Sequence, residues 1–192
     1  MSKLVRIFLP NLLLLLPCCL TAYSQAQQPI PDIIPQTKIE AFQYQTGAVI
    51  IKAFTRIGAM RGAGGTVEVI SIEFTEARSG RKEQGIVVDV KEFGRTERSE
   101  RSYIDDNEIA PLLRAIDDIS KIGTDVTKLA NFEARYTTRG DFSIATFNEA
   151  ETINVAIGGG HVTRVEAVFK FIDLEKFKGL LLNAKSRLDA AK

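Results

Sequence analysis

Hydrophobic residues after residue 37 recur in two patterns, which follow each other twice along the chain. Runs in which every second residue is apolar predict half-buried strands, and apolar residues spaced three and four apart predict an amphipathic helix. The strands predicted in the first half cover residues 38–45, 47–58, 66–78 and 84–93, with Tyr103 as an alternative end of the last strand. Those predicted in the second half cover residues 131–138, 141–148, 151–157 and 161–171. A helical stretch follows each set of four strands.

The two predicted helices cover residues 106–121 and 174–189. Their apolar stripes consist of Ile109, Leu112, Leu113, Ile116 and Ile119 in the first helix, and of Phe177, Leu180, Leu181, Ala184 and Leu188 in the second. Asp105 stands directly before the first helix with Glu108 three residues later, which is the spacing of a capping box. Asp173 stands at the corresponding place before the second helix. We therefore expect Asp105, Glu108 and Asp173 to act as structural helix caps.

The chain nearly repeats itself where each helix begins. Residues 103–113 read YIDDNEIAPLL and residues 171–181 read FIDLEKFKGLL. Each copy ends a four-strand unit and starts its helix, so we interpret the chain as a duplication with repeats at about 37–123 and 131–190. The alternative is that two common strand-to-helix junctions arose independently.

The duplication predicts an α+β fold. Two ββββα repeats would form one or two antiparallel sheets covered by two helices, each helix lying on the sheet of its own unit. Residues 37–192 are long enough to form a single domain with a substantial core.

The first 26 residues have the layout of a secretory signal peptide. A basic start, with Lys3 and Arg6, leads into an almost wholly apolar run from Ile7 to Leu20, and small residues precede a cleavage point after Ala26. Residues 27–36 are rich in proline and predict an extended tether. We expect an exported protein, periplasmic or secreted, with no transmembrane segment after cleavage. A lipid anchor at Cys18 or Cys19 is the alternative.

Composition after cleavage restricts the chemistry. Both cysteines leave with the signal peptide, so the remaining chain has no disulfide, thiol nucleophile or thiolate metal site. Loss of Lys3 and Arg6 leaves 23 basic against 24 acidic residues. Nucleic-acid-binding proteins usually carry a positive excess, so this balance disfavours that class.

The order of four strands and a helix, occurring twice over about residues 38–190, resembles the topology of the PUR-repeat and Whirly families. The resemblance is one of element order and includes no sequence motif. It implies single-stranded nucleic-acid binding through the sheets. The stretch from YIDDNEIAPLL to DFSIATF is also similar to small, uncharacterised exported bacterial proteins, a resemblance that implies no activity.

No catalytic, cofactor or metal site is predicted. His161 is the single histidine, and the glycine-rich segment 58–65 lacks the Lys-Ser/Thr ending of a phosphate-binding loop, so it predicts a flexible hairpin loop. The segment RTERSERS at 95–102 alternates in charge, as a solvated edge strand does. Its equivalent in the second half, VEAVFKF, carries an apolar face. The candidate interaction residues are Arg61, Arg95, Arg98, Arg101, His161 and Phe169.

Two predicted strands are apolar on both faces, which is more than a one-sided sheet requires. They are VEVISIEF and IVVDV, at 67–74 and 86–90. The surplus predicts a hydrophobic groove or a homo-oligomer interface, unless the two halves cover these faces themselves. The leading hypothesis is therefore a non-catalytic exported binding protein, with an unknown protein or a small apolar ligand as its partner and no cofactor. A carboxylate-based enzyme and a single-stranded nucleic-acid binder are the alternatives.

Overall fold

The computed structural model describes residues 34–161 and 163–192. The predicted signal peptide, and the tether up to residue 33, lie outside the described residues. The elements are α1 (Lys38–Gln43), β1 (Ile50–Arg61), β2 (Gly65–Glu76), β3 (Lys82–Glu92), β4 (Arg98–Asp105), α2 (Asp106–Ile119), β5 (Glu133–Thr137), β6 (Ser143–Glu149), β7 (Thr152–Gly159), β8 (Val165–Lys170) and α3 (Asp173–Asp189). Within the described ranges, no helix combines the length and hydrophobicity that a membrane span needs.

The strands form two antiparallel four-stranded meanders. The first sheet has the order β1-β2-β3-β4 and the second the order β5-β6-β7-β8. Each sheet leads directly into a long helix, α2 or α3, so the predicted α+β fold with two ββββα units is confirmed. The two copies of the repeated segment occupy equivalent places, at the end of a fourth strand and the start of its helix.

The prediction of a strand over 38–45 is wrong, because these residues form α1. Thr37 caps this helix in a capping box with Glu40, and the helix buries Ile39 and Phe42, which are three residues apart. In so short a segment, apolar residues two apart, as in a strand, are hard to distinguish from apolar residues three apart, as in a helix. The strand count of the first unit is nevertheless four, because β3 ends at Glu92 and β4 begins separately at Arg98. The alternative of one strand reaching Tyr103 is therefore also wrong.

One core joins both sheets to the two long helices. Its fully buried members include Val69, Ile86, Leu112, Ile144, Ile157 and Phe177. The expectation that each helix lies on its own sheet is wrong for α3. The Ser71 hydroxyl of β2 donates a hydrogen bond to the Ala184 carbonyl of α3 at 3.0 Å, and Leu180 of α3 lies against Gly58 of β1. The second unit's helix thus packs on the first unit's sheet and ties the repeats together.

A second, smaller apolar cluster covers the opposite face of the first sheet. Ile39 and Phe42 of α1 pack there against Ile72 and Phe74 of β2 and Val87 of β3. This explains why two strands of the first sheet are apolar on both faces. One face belongs to the shared core, and α1 covers part of the other, which we call the outer face.

Two of the three predicted helix caps, Asp105 and Glu108, make tertiary contacts instead. Asp105 precedes α2, yet its carboxylate accepts hydrogen bonds from the backbone N–H groups of Lys38 and Ile39, at 3.0 and 3.1 Å, and so caps α1. Glu108 accepts the Arg139 backbone N–H at 3.0 Å. Asp173 lies inside α3, whose N-cap position is Ile172. The prediction was wrong because carboxylates positioned for a local cap can also reach the free N–H groups of a distant segment.

The β1–β2 hairpin ends in a close approach of backbones that depends on glycine. A Cβ atom on Gly65 would lie 2.1 Å from the Lys91 carbonyl oxygen and 2.8 Å from the Ala167 Cβ, whereas a Cβ on Gly64 would meet nothing within 4 Å. In the same turn, the Ala63 N–H donates to the Val168 carbonyl of β8 at 3.2 Å. The hairpin loop predicted for 58–65 is thus limited to residues 62–64, because residues 58–61 belong to β1 and residue 65 to β2. Gly62 and Gly65 allow the close packing, since a Cβ on either would clash with neighbouring backbone.

We expect Gly65→Ala to lower the free energy of unfolding by about 1–3 kcal/mol, the usual cost of overpacking against a surface that must move. Urea denaturation monitored by circular dichroism measures this change. Gly64→Ala, one residue away in open space, is the matched control and should change stability by less than about 0.5 kcal/mol. Equal stability of the two variants would contradict the close approach.

Candidate functional site

The first half of β1 is an exposed apolar edge strand. β1 is the terminal strand of the first sheet, with β2 as its partner. Val49, Ile51 and Phe54 are 72, 53 and 59% exposed. We call residues 49–56 the open edge. A long apolar edge is a surface on which strands of other chains can pair, and proteins usually shield such edges.

The hydrogen bonds between β1 and β2 show which N–H and C=O groups of the open edge point away from β2. The Ala77 N–H donates to the Val49 carbonyl at 2.9 Å, which makes residue 49 a residue bonded to β2. In an antiparallel pair such residues alternate with residues whose N–H and C=O point away. Ile51, Ala53 and Thr55 therefore also bond β2. The N–H and C=O groups along the open edge that bond no described residue belong to Ile50, Lys52, Phe54 and Arg56.

The side chains of the open edge are sorted onto two faces by the same alternation. Lys52 lies opposite Phe74, Phe54 opposite Ile72 and Arg56 opposite Ile70. Residues opposite each other share a face, so Lys52, Phe54 and Arg56 stand on the outer face. Ile51, Ala53 and Thr55 stand on the other.

A shallow groove lies on the outer face beside the open edge. Its floor consists of the buried side chains of Ile70, Ile72 and Val87, and Phe54 forms one wall. The groove has a volume of about 120 Å³. That is below the ~300–1,000 Å³ of typical small-molecule pockets. The surplus apolar surface predicted from the sequence is thus present, but only as a shallow groove.

The cations around this groove differ in how they are neutralised. Arg101 donates to both carboxylate oxygens of Asp89, at 2.6 and 2.7 Å, and these hydrogen bonds raise its pKa further above the ordinary value. Arg56 is 3.4 Å from Glu68 and its side chain is 70% exposed. The Lys52 ammonium lies 5.9 Å from the ring centres of Phe54 and Phe74 and forms no ion pair with any described residue. Of the three cations that line the groove, Lys52 is therefore the one without a carboxylate partner among the described residues.

A larger cleft among the described residues has a different character. It has a volume of about 440 Å³ and is lined mainly by charged side chains at one end of the first sheet, including Glu73, Lys82, Asp106 and Lys192. Several of these charges already pair, with Lys82 at 3.0 Å from Glu73 and Lys192 at 3.0 Å from Asp106. Such a cleft lacks the apolar lining that a small apolar ligand needs.

The predicted charged edge strand exists, and two of its arginines, Arg98 and Arg101, form ion pairs within the sheet. RTERSERS leads into β4, the other terminal strand of the first sheet. Arg98 pairs with Glu92 at 2.5 Å and Arg101 with Asp89, both carboxylates being on neighbouring β3. Arg95 is exposed in the turn before β4. Arg98 and Arg101 therefore contact β3 of their own sheet.

The other candidate interaction residues do not converge on one site. Arg61 stacks its guanidinium 5.0 Å from the centre of the Phe93 ring. The Nδ1 atom of His161 is 2.5 Å from a carboxylate oxygen of Asp141, at an exposed position. Phe169 is only 3% exposed and belongs to the core, so its prediction as an interaction residue is wrong. Alternation alone could not show that this face of β8 is covered.

No catalytic arrangement emerges among the described residues. They contain no group of three or more His, Cys, Asp or Glu side chains that could hold a metal ion. Glu108 is nearly buried and one of its oxygens has no hydrogen-bond partner, but its other oxygen holds the Arg139 backbone and it lies 3.4 Å from the Arg139 guanidinium. That geometry indicates a structural role in holding the β5–β6 turn.

The residues of the open edge were not among the candidates chosen from the sequence. The signal was present in VIIKAF at 49–54, which reads as a partly apolar strand with one lysine. Exposure of those residues depends on β1 being a terminal strand, which no local pattern shows. Comparisons of the chain with protein-family models, curated proteins and solved structures gave no match.

Proposed function

We propose that this is a non-catalytic binding protein that accepts a strand of a partner polypeptide along the open edge. The observation that carries the proposal is the coincidence of unpaired backbone groups with exposed apolar side chains in residues 49–56. Strand addition uses the backbone groups for affinity and the side chains for specificity. Together with the predicted signal peptide, this makes the partner a protein met outside the cytoplasm.

The surface chemistry supports a polypeptide partner over a small apolar ligand. The apolar groove is too small to enclose a typical ligand, and the cleft of about 440 Å³ is lined mainly by charged side chains. An added strand needs no enclosed pocket, because it pairs with the four residues whose N–H and C=O groups point away from β2 and bond no described residue. It would also cover Val49, Ile51 and Phe54, whose exposure is otherwise unfavourable.

The test is a proline substitution that changes the free side of the strand alone. The Lys52 N–H points away from β2, so Lys52→Pro removes a donor of the open edge without breaking a hydrogen bond to β2. Nonapeptides selected from a random displayed library on the wild-type protein provide the probe. We expect them to bind Lys52→Pro about tenfold more weakly or worse, since a hydrogen bond is lost and a partner carbonyl is left unpaired.

Lys52→Ala is the matched control, because it removes the same side chain and keeps the N–H group. It should retain affinity within about threefold, equivalent to less than ~1 kcal/mol. Ala53→Pro, which removes an N–H bonded to β2, should destabilise the fold, whereas Lys52→Pro should not. Fluorescence anisotropy gives the affinities and thermal denaturation the stabilities. Unchanged binding to a folded Lys52→Pro variant would show that the open edge is not the binding surface.

A further inference from the structure

We infer that the open edge selects a partner strand with the pattern acidic–any–apolar–any–acidic. The inference rests on the proposed function, because it specifies the chemistry of the strand that pairs there. It follows from the charges along the open edge and from the registers in which a strand can pair.

The open edge presents two cations on one face and no acid. Its sequence is VIIKAFTR, in which Lys52 and Arg56 flank Phe54 at a spacing of two. All three side chains point to the outer face, as their cross-strand partners on β2 show. A strand added beside β1 places three of its own side chains directly opposite them, with Cβ atoms about 4.5–5.5 Å away.

The best complement at each position follows from the side chain opposite. Lys52 has no carboxylate partner among the described residues, and Arg56 remains 70% exposed beside Glu68. Carboxylates opposite these two residues would gain favourable cross-strand pairs, while lysine or arginine there would be repelled. The exposed ring of Phe54 favours an apolar residue opposite the centre of the pattern.

The same charges disfavour a second copy of the open edge as the partner. In such a dimer, the residues whose N–H and C=O groups point away from β2 in one copy must bond the corresponding residues of the other copy. An antiparallel register centred on Lys52 places two Lys52 side chains opposite each other, and one centred on Phe54 places Lys52 opposite Arg56. A register centred on Ala53 leaves the two Lys52 side chains as diagonal neighbours, about 7–8 Å apart. Lysine on an edge strand is a known deterrent to self-pairing.

Three palindromic heptapeptides test the inference, because a palindrome presents the same pattern in parallel and antiparallel orientation. They are capped at both ends and read TEVLVET, TQVLVQT and TKVLVKT. NMR titration of the labelled protein measures affinity, with the Lys52 and Phe54 amides reporting binding at the open edge. We expect TEVLVET to bind about tenfold more tightly than TKVLVKT, with TQVLVQT between them.

Charge reversal on the protein should reverse this order. In the double variant Lys52→Glu with Arg56→Glu the lysine peptide should bind more tightly than the glutamate peptide, whereas Lys52→Gln should only reduce the preference. Raising the salt concentration from roughly 0.05 M to roughly 0.5 M should also reduce the preference in the wild-type protein, since the charges are exposed.

The outcomes separate this inference from the proposed function. Equal binding of the three peptides, or no binding while library peptides still bind in a Lys52→Pro-sensitive way, overturns the charge pattern and leaves strand addition standing. Concentration-dependent self-association through the Lys52 and Phe54 amides also overturns it, because a second copy would then be the occupant. If neither designed nor library peptides perturb the open edge, the proposed function fails as well.

Discussion

Phe177→Ala should lower the free energy of unfolding by about 3–5 kcal/mol, the usual cost of emptying a buried aromatic site. Phe177 lies on α3, is fully buried, and stacks on Phe142 with ring centres 5.8 Å apart. Phe142 directly precedes β6 of the second sheet, while the same helix packs on β2 of the first. Loss of the ring would therefore weaken the core at the point where α3 joins the two sheets.

Leu182→Ala is the control on the same helix, because Leu182 is 46% exposed and lies off the buried face. It should change stability by less than about 0.5 kcal/mol. Urea denaturation followed by circular dichroism and by tyrosine fluorescence measures both variants. A Phe177→Ala variant as stable as Leu182→Ala would mean that α3 does not pack between the sheets as described.

Asp105→Ala is the second substitution with a large expected effect, about 2–4 kcal/mol of lost stability. Asp105 is 2% exposed, and its two oxygens accept the first backbone N–H groups of α1. Alanine would leave both donors without a partner, so α1 should detach from the outer face before the rest of the domain unfolds. Hydrogen exchange should accordingly increase first at the amides of residues 38–43.

Asp173→Ala is the matched control because Asp173 is the equivalent residue of the second repeat. Its carboxylate makes no hydrogen bond to a described residue, and it lies within the first turn of α3. The substitution should cost less than about 1 kcal/mol, the scale of a favourable charge near a helix N-terminus. Similar losses for the two variants would indicate that Asp105 acts as an ordinary local cap and that α1 is held by other contacts.

Much of the secondary structure was predictable because it depends on local spacing. The stripes that predicted helices over 106–121 and 174–189 correspond to α2 and α3, within two residues at each end. The strands of the second half and the apolar face of VEAVFKF were also predicted correctly. α1 was missed because it has only six residues and is stabilised by a capping box and by the distant carboxylate of Asp105.

The candidate surface was less predictable, because exposure is a property of the whole fold. Phe169 and Phe54 both lie in alternating apolar strands, and no difference in pattern separates them. β8 faces the shared core and buries Phe169, whereas β1 ends its sheet and leaves Phe54 exposed. In the same way, Arg101 appears free in the sequence but binds Asp89 across the sheet.

The amino-acid sequence by itself determined the periodicities of this protein: two sets of strands, two amphipathic helices and the repeated segment where each helix begins. Those features follow from the spacing of apolar side chains, which is local information. The tertiary structure alone decided which partner each element meets. It placed α3 on the first sheet, placed Asp105 against the start of α1, and left the open edge without a neighbouring strand among the described residues. Such choices depend on contacts between residues far apart in the chain, and they determine that the apolar side chains of residues 49–56 are exposed.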